Sequence, residues 1–172
     1  EVKSIVNTSD EYIVVVANGS DTAGAGDVVL VANTGAIVSL DDGFEYVADQ
    51  VIDSVSPASG QYGTVVTITG ESLLGGGASV ASVTLAGVEV GNVTSESETE
   101  IIVEVANSTA ATGAVVITSD SGAVVSTNVS GWEYLANGVI DSISPTSGQH
   151  KSPVTIVGER MLGGGATVGA LT

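Results

Sequence analysis

The chain repeats itself with a period of 88 residues. Val51-Ile52-Asp53-Ser54-Val55-Ser56-Pro57-Ala58-Ser59-Gly60-Gln61 returns as Val139-Ile140-Asp141-Ser142-Ile143-Ser144-Pro145-Thr146-Ser147-Gly148-Gln149. Phe44-Glu45-Tyr46 returns as Trp132-Glu133-Tyr134, and Leu74-Gly75-Gly76-Gly77-Ala78 as Leu162-Gly163-Gly164-Gly165-Ala166. A unit of this length is one small domain, and units in series form an array. The pattern points to a spacer, fibre or adhesive array, not to a single catalytic globule.

The repeat also places the loops. The offset is 88 from Glu1/Glu89 to Ile13/Ile101, 89 at Ala17/Ala106, 87 at Val28/Val115, and 88 again at Phe44/Trp132. The slips fall in Gly-, Ser- and Asp-rich stretches, and loops tolerate insertions where packed strands do not. The chain thus reads as half, whole, half. Residues 1–47 match the C-terminal half of a unit, 51–135 a complete unit, and 139–172 an N-terminal half. A lone half leaves apolar faces and strand edges in water, which invites pairing. Two readings follow: a window on a longer array, or completion of the leading half of one chain by the trailing half of the next.

Composition selects the fold class. Hydrophobic residues make up 43% of the 172-residue chain but aromatics only 3%, so the apolar mass is mostly Val, Ala and Ile. Val and Ile are stiff at the first side-chain torsion and fit pleated sheet. With 23 Gly as turn punctuation, an all-β chain is expected. No segment approaches the roughly 18 unbroken apolar residues of a membrane span, so no membrane insertion is expected of this segment. No signal peptide or initiator Met is visible, which for a secreted protein implies processing or truncation. The formal charge is −17, with Lys3, Lys151 and Arg160 as the fixed cations. Nucleic-acid binding draws on clustered Lys and Arg, so it is not expected, and anionic membrane surfaces are disfavoured too. The acidity suits a soluble, self-repelling surface. Cysteine is absent, which excludes disulfides and thiol chemistry.

Alternation places the strands of the whole unit. In Thr64-Val65-Val66-Thr67-Ile68-Thr69, Val66 and Ile68 share a face; Ile101, Val103 and Val105 share another, opposite Glu104. Residues 115–118 and 123–126 flank Ser119-Asp120-Ser121-Gly122, a hairpin whose Gly supplies positive φ. Residues 28–31 and 36–39 flank its counterpart, Ala32-Asn33-Thr34-Gly35. Further strands are expected near 51–55, 80–85 and 132–135. About seven short strands in one unit make an immunoglobulin-like sandwich. Trp132 and Tyr134 lie on one face with Glu133 opposite, as do Phe44 and Tyr46 around Glu45. With so few aromatics, these four are expected to anchor the core. The linkers Ala48-Asp49-Gln50 and Ala136-Asn137-Gly138 are short, which favours a stiff rod over loose beads.

These residues resemble the IPT/TIG domain, an immunoglobulin-like fold shared by plexins and transcription factors. The resemblance rests on Ile52 and Ser54-Val55-Ser56-Pro57-Ala58-Ser59-Gly60, residues 63–70, Val83-Thr84-Leu85-Ala86-Gly87-Val88, the Ser/Thr-rich stretch before Glu100-Ile101-Ile102-Val103, and the closing Trp132-Glu133-Tyr134. It covers the complete unit and both halves. Leu73-Leu74-Gly75-Gly76-Gly77 departs from the pattern, since many members have Phe and a shorter turn there. The resemblance implies tandem sandwiches of that type. The family spans extracellular receptors, surface adhesins, accessory domains of carbohydrate-active enzymes and DNA-binding factors, so fold alone does not settle function. Its DNA-binding branch depends on basic contacts that this chain lacks.

Candidate chemistry is sparse. Five of seven Asn (Asn7, Asn18, Asn92, Asn107 and Asn128) stand in Asn-x-Ser/Thr, against roughly 1.5 by chance. They are candidate N-glycosylation sites, so covalent glycans are expected partners. Asp41-Asp42-Gly43, or Asp49 with Asp53, offer hard oxygen ligands that suit calcium, but no calcium-loop pattern is present, and turn roles explain them better. No metal site or cofactor is expected. His150 sits in a turn where the other unit has Tyr62, and Gly75-Gly76-Gly77 lacks the following Lys of a phosphate loop. No catalytic residue is expected. The chain is therefore expected to be a non-enzymatic structural protein at the cell surface or outside the cell. It would be a glycosylated array forming a stalk, fibre or filament, with further copies or repeats of itself as partner. An alternative is a receptor or adhesin ectodomain fragment that binds a protein or glycan; a third is an accessory domain of a carbohydrate-active enzyme.

Overall fold

A computed structural model describes residues 2–18, 22–127 and 130–171. It divides into two compact units, Glu1–Ala48 and Asp49–Thr172. Every regular element among the described residues is a strand.

The second unit holds the complete sandwich. Its strands are β5 (Val51–Ser56), β6 (Ser59–Gly60), β7 (Val65–Glu71), β8 (Val80–Leu85), β9 (Val88–Glu89), β10 (Asn92–Glu96), β11 (Glu100–Glu104), β12 (Ala111–Gly113), β13 (Val115–Ser119), β14 (Val124–Ser126) and β15 (Trp132–Tyr134). They form two four-stranded sheets, β10-β11-β7-β5 and β14-β13-β8-β9, and a three-stranded sheet, β12-β15-β6. The alternation expected from sequence is present: Val66 and Ile68 on β7, Ile101 and Val103 on β11, and Val115 and Ile117 on β13 are all fully buried. With Val83 and Leu85 of β8 they make one core, closed by Trp132 and Tyr134. The two rings meet edge to face at 5.7 Å. Burying a Val, Ile or Leu side chain contributes about 1.5–3 kcal/mol, so a domain poor in aromatics still has an ample driving force. The β13–β14 hairpin turns at Gly122, with φ 85°. Four strands exceed the seven expected. Three are two- or three-residue pieces. The fourth, β10, is an edge strand whose Asn-Val-Thr-Ser-Glu half-buries only Val93, so it carries no apolar alternation to read.

The same unit continues into β16 (Val139–Ser144) and β17 (Thr155–Glu159), an antiparallel pair. Its register, Val139↔Glu159, Ile140↔Gly158, Ser142↔Val157, Ile143↔Ile156 and Ser144↔Thr155, is the β5–β7 register of Val51↔Glu71 through Ser56↔Thr67 displaced by one repeat. The bulge recurs too, between Ile52 and Ser54 in one and Ile140 and Ser142 in the other. The glycine turn after each pair adopts the same backbone: Ser72, Gly75 and Gly76 have φ 51°, 52° and 77°, and Arg160, Gly163 and Gly164 have 51°, 57° and 90°. Residues 168–171, the counterpart of the first part of β8, form no strand.

The first unit consists of two hairpins, β1 (Val2–Thr8) with β2 (Ile13–Ala17), and β3 (Gly24–Val31) with β4 (Ile37–Tyr46). The β1–β2 register, Ser4↔Val16, Ile5↔Val15, Asn7↔Val14 and Thr8↔Ile13, matches β10–β11 pair for pair. The β3–β4 ladder combines two ladders of the whole domain. Gly24↔Tyr46, Ala25↔Glu45 and Gly26↔Phe44 reproduce β12–β15, and Val29↔Ser39, Leu30↔Val38 and Val31↔Ile37 reproduce β13–β14. Here the aromatics depart from expectation. Phe44 and Tyr46 keep the edge-to-face contact, at 5.0 Å, but they anchor no core: Phe44 is 46% exposed. Trp132, its counterpart, is 1% exposed. Trp132 shares its core with Val66 and Ile68 of β7 and Val83 and Leu85 of β8, and the first unit contains no equivalent of those strands.

Candidate functional site

Two features stand out once the domain is built: a braced junction after β15, and faces that nothing covers. The junction is the linker Ala136-Asn137-Gly138. Gln61, just past β6, reaches it with both ends of its side-chain amide. The Nε2 donates to the Ala136 carbonyl at 2.6 Å, and the Oε1 accepts from the Gly138 N–H at 3.2 Å. Gln61 is itself held by a tight turn, its N–H donating to Thr64 Oγ1 and its carbonyl accepting from the Thr64 N–H. From the other side, the Arg160 guanidinium donates to the Asn137 carbonyl at 3.0 Å and pairs with Glu159. Leu135 Cδ1 lies against Gly164, whose φ of 90° disfavours a side chain. Each of the three linker residues is thus hydrogen-bonded, Ala136 and Gly138 by Gln61 and Asn137 by Arg160.

Beside this junction lies an open apolar groove of about 1210 Å³, floored by Leu135, Ile140, Ile156, Met161, Leu162 and Leu171. Four of them, Ile156, Met161, Leu162 and Leu171, correspond to the buried Ile68, Leu73, Leu74 and Val83 of the whole domain. Leu73 and Val83 are fully buried, while their counterparts Met161 and Leu171 are 48% and 75% exposed. The first unit carries the matching deficit: Ile13, Val15 and Leu30 are exposed where Ile101, Val103 and Ile117 are buried.

The glycine turn has a structural role. Gly75 has positive φ, its carbonyl accepts from Ser121 Oγ at 3.0 Å, and the adjoining Leu73 carbonyl accepts from Gln50 Nε2 at 2.8 Å. Asp120 braces the same corner, Oδ1 accepting from the Ala78 N–H and Oδ2 from the Ser79 hydroxyl. The Ser79 bond is the largest cause that holds the Asp120 carboxyl below its ordinary pKa, ahead of the opposing desolvation and the backbone donors. Burial raises the Tyr134 phenol. Its hydroxyl and the Trp132 indole N–H find no hydrogen-bond partner among the described residues.

Asn7, Asn18, Asn92 and Asn107 are all exposed. Asn7 lies on β1 and Asn92 on β10, equivalent edge strands. Asn18 follows β2, and the rest of its triplet lies outside the described residues. Asn107 accepts from Asn137 of the linker at 3.3 Å. Asn128 lies outside the described residues. Among those residues no group of three or more His, Cys, Asp or Glu is placed to hold a metal ion. Asp42 instead takes a positive φ and donates its N–H to Asp27 Oδ1. No helix among them is long and apolar enough to cross a membrane. The Gln61 brace was not foreseen from sequence. Its signal was the Ser-Gly-Gln shared by residues 59–61 and 147–149.

Two four-stranded sheets around a common core define an immunoglobulin-like β-sandwich. Residues 51–130 match the IPT/TIG domain family, and this part of the chain is an IPT/TIG domain. Solved structures with similar folds include an auxiliary nutrient binding protein from Bacteroides ovatus, 19% identical over 56% of this chain and 23% of that one, with TM-score 0.42. The gamma-CGTase of Alkalophilic bacillus clarkii is 19% identical over 66% of this chain and 18% of its own, also at 0.42. SGBP-B of the Bacteroides ovatus mixed-linkage glucan utilization locus, solved with a mixed-linkage heptasaccharide, is 17% identical over 80% of this chain and 35% of its own, at 0.40. The chain spans about a third or less of the length of these proteins. These likenesses concern the fold alone. No curated protein matches the chain.

Proposed function

We propose that the chain is a non-enzymatic structural protein: an extracellular, glycosylated array of IPT/TIG sandwiches that forms a stalk, fibre or surface filament. The observation that carries this reading is the braced linker. A binding module on a flexible tether needs no hydrogen bonds along its connector. A load-bearing rod does, because each free joint adds bending entropy. The acidic surface, with a net charge of −17, keeps such rods apart. Glycans on Asn7, Asn18, Asn92, Asn107 and Asn128 would thicken that coat, two of them on equivalent edge strands where bare edges invite stray pairing. Other repeats of the same kind are the natural partner of the apolar faces, and neither nucleic acid nor a cofactor is needed.

Electron microscopy of the native material tests the reading. Regular filaments with a repeat near one domain length, bearing side density that enzymatic deglycosylation removes, are expected. Isolated globular particles with an intact mass unchanged by deglycosylation would refute it.

A further inference from the structure

The braced linker contains a chemically labile pair, Asn137-Gly138. The side-chain amide of an Asn is attacked by the backbone nitrogen of the next residue when the two meet, and a Gly in that place, with no Cβ, obstructs the approach least. The chain has a second such pair, Asn18-Gly19, but Ser20 makes that one a glycosylation triplet; Asn137 is followed by Gly138-Val139 and is not one. Glycine is kept at 138 by a close approach: a Cβ there would stand 2.7 Å from the Arg160 carbonyl oxygen. The linker at 48–50 has Asp49 and Gln50 at the equivalent positions and carries no such pair.

Three groups that cyclisation must move are all engaged. The Gly138 N–H, whose proton must leave, donates to Gln61 Oε1 at 3.2 Å. The Asn137 side-chain amide, whose carbon must swing onto that nitrogen, donates from Nδ2 to Asn107 Oδ1 at 3.3 Å. The Asn137 carbonyl, which turns with the bond between the two, accepts from Arg160 at 3.0 Å. Gln61 Nε2 also reaches the Arg160 carbonyl at 3.4 Å, so one side chain holds linker and turn together. We propose that Asn137-Gly138 is a modification site that the brace keeps latent, and that opening of the joint releases it to deamidate. In the open joint the Gly138 nitrogen gives its proton to hydroxide and bonds to Asn137 Cγ. The Cγ–Nδ2 bond breaks, and Nδ2 takes a proton from water and leaves as ammonia. Water then opens the cyclic imide at either carbonyl. One product carries an aspartate, the residue that the equivalent linker has as Asp49, and suits the joint. The other is isoaspartate, whose side-chain carbon has entered the main chain. Its extra methylene displaces Gly138 from Gln61, and the brace no longer fits. Asn137 is exposed, and so is Asp49, which precedes a complete domain, so a complete domain after the linker leaves the site open to water.

Ageing the full chain in mildly alkaline buffer tests this, with deamidation at 137 read by peptide mass. The native chain is expected to convert about tenfold or more slowly than the same chain unfolded in urea, because the reaction waits on local opening. Gln61→Ala is expected to speed native conversion about 5- to 30-fold, in step with the two bonds it removes from the linker. Exchange of the core amides of Ile68, Val103 and Ile117 is expected to stay at the parent rate, which separates opening of the joint from unfolding of the domain. Equal conversion in native and unfolded chains, or in parent and variant, would overturn the proposal. Conversion that speeds only together with core exchange would trace to unfolding and overturn it too. If equal conversion came with reduced Gly138 protection in the variant, the brace and the array reading would stand without it.

Discussion

Replacing Gln61 with Ala tests whether the linker is braced or merely short. The substitution removes the donor to Ala136 and the acceptor from Gly138, at 2.6 and 3.2 Å, and leaves the domain core untouched. A net contribution of about 0.5–1 kcal/mol for each bond is the lower part of the usual range, fitting for a partly exposed amide. The joint then loses about 1–2 kcal/mol, which at roughly 1.4 kcal/mol per decade is about a 5- to 30-fold change in its opening equilibrium. Amide hydrogen exchange reads this directly, because the Gly138 N–H is one of the two partners. Its protection is expected to fall by that factor in Gln61→Ala, while the amides of Ile68, Val103 and Ile117 exchange as before. In solution scattering the variant is expected to sample a wider spread of angles about residues 136–138. Unchanged protection at Gly138 would mean that the brace adds nothing to steric shortness, and the stiff-rod reasoning would fail with it.

Trp132→Ala is expected to cost the domain about 3–5 kcal/mol as a buried aromatic truncation, seen as a large drop in melting temperature by circular dichroism. Trp132→Phe, which installs the residue found at position 44, is expected to cost far less. Asp120 gives a pH dependence of defined sign. Its folded-state pKa lies below the ordinary 3.8, so its stabilisation is complete above that value and is lost as the pH falls through the folded value. Denaturant melts of Asp120→Asn are expected to be flatter with pH in that acidic window than those of the parent; parallel curves would remove Asp120 as a brace.

Much of the fold is legible in sequence because its signals are local. Alternation at Val66/Ile68 and Ile101/Val103, and a glycine closing Ser119-Asp120-Ser121-Gly122, act within a few residues. The failures are where tertiary context decides. Strand β10 is an edge, held by backbone bonds to β11 and by little side-chain burial, so its composition reads as loop. Phe44 and Trp132 sit in equivalent sequence environments, yet one is exposed and the other buried, because burial belongs to the strands overhead. Gln61 is invisible as a brace because its partners lie 75 and 77 residues away. Its recurrence as Gln149 marked the position, and only the folded linker gives it a role.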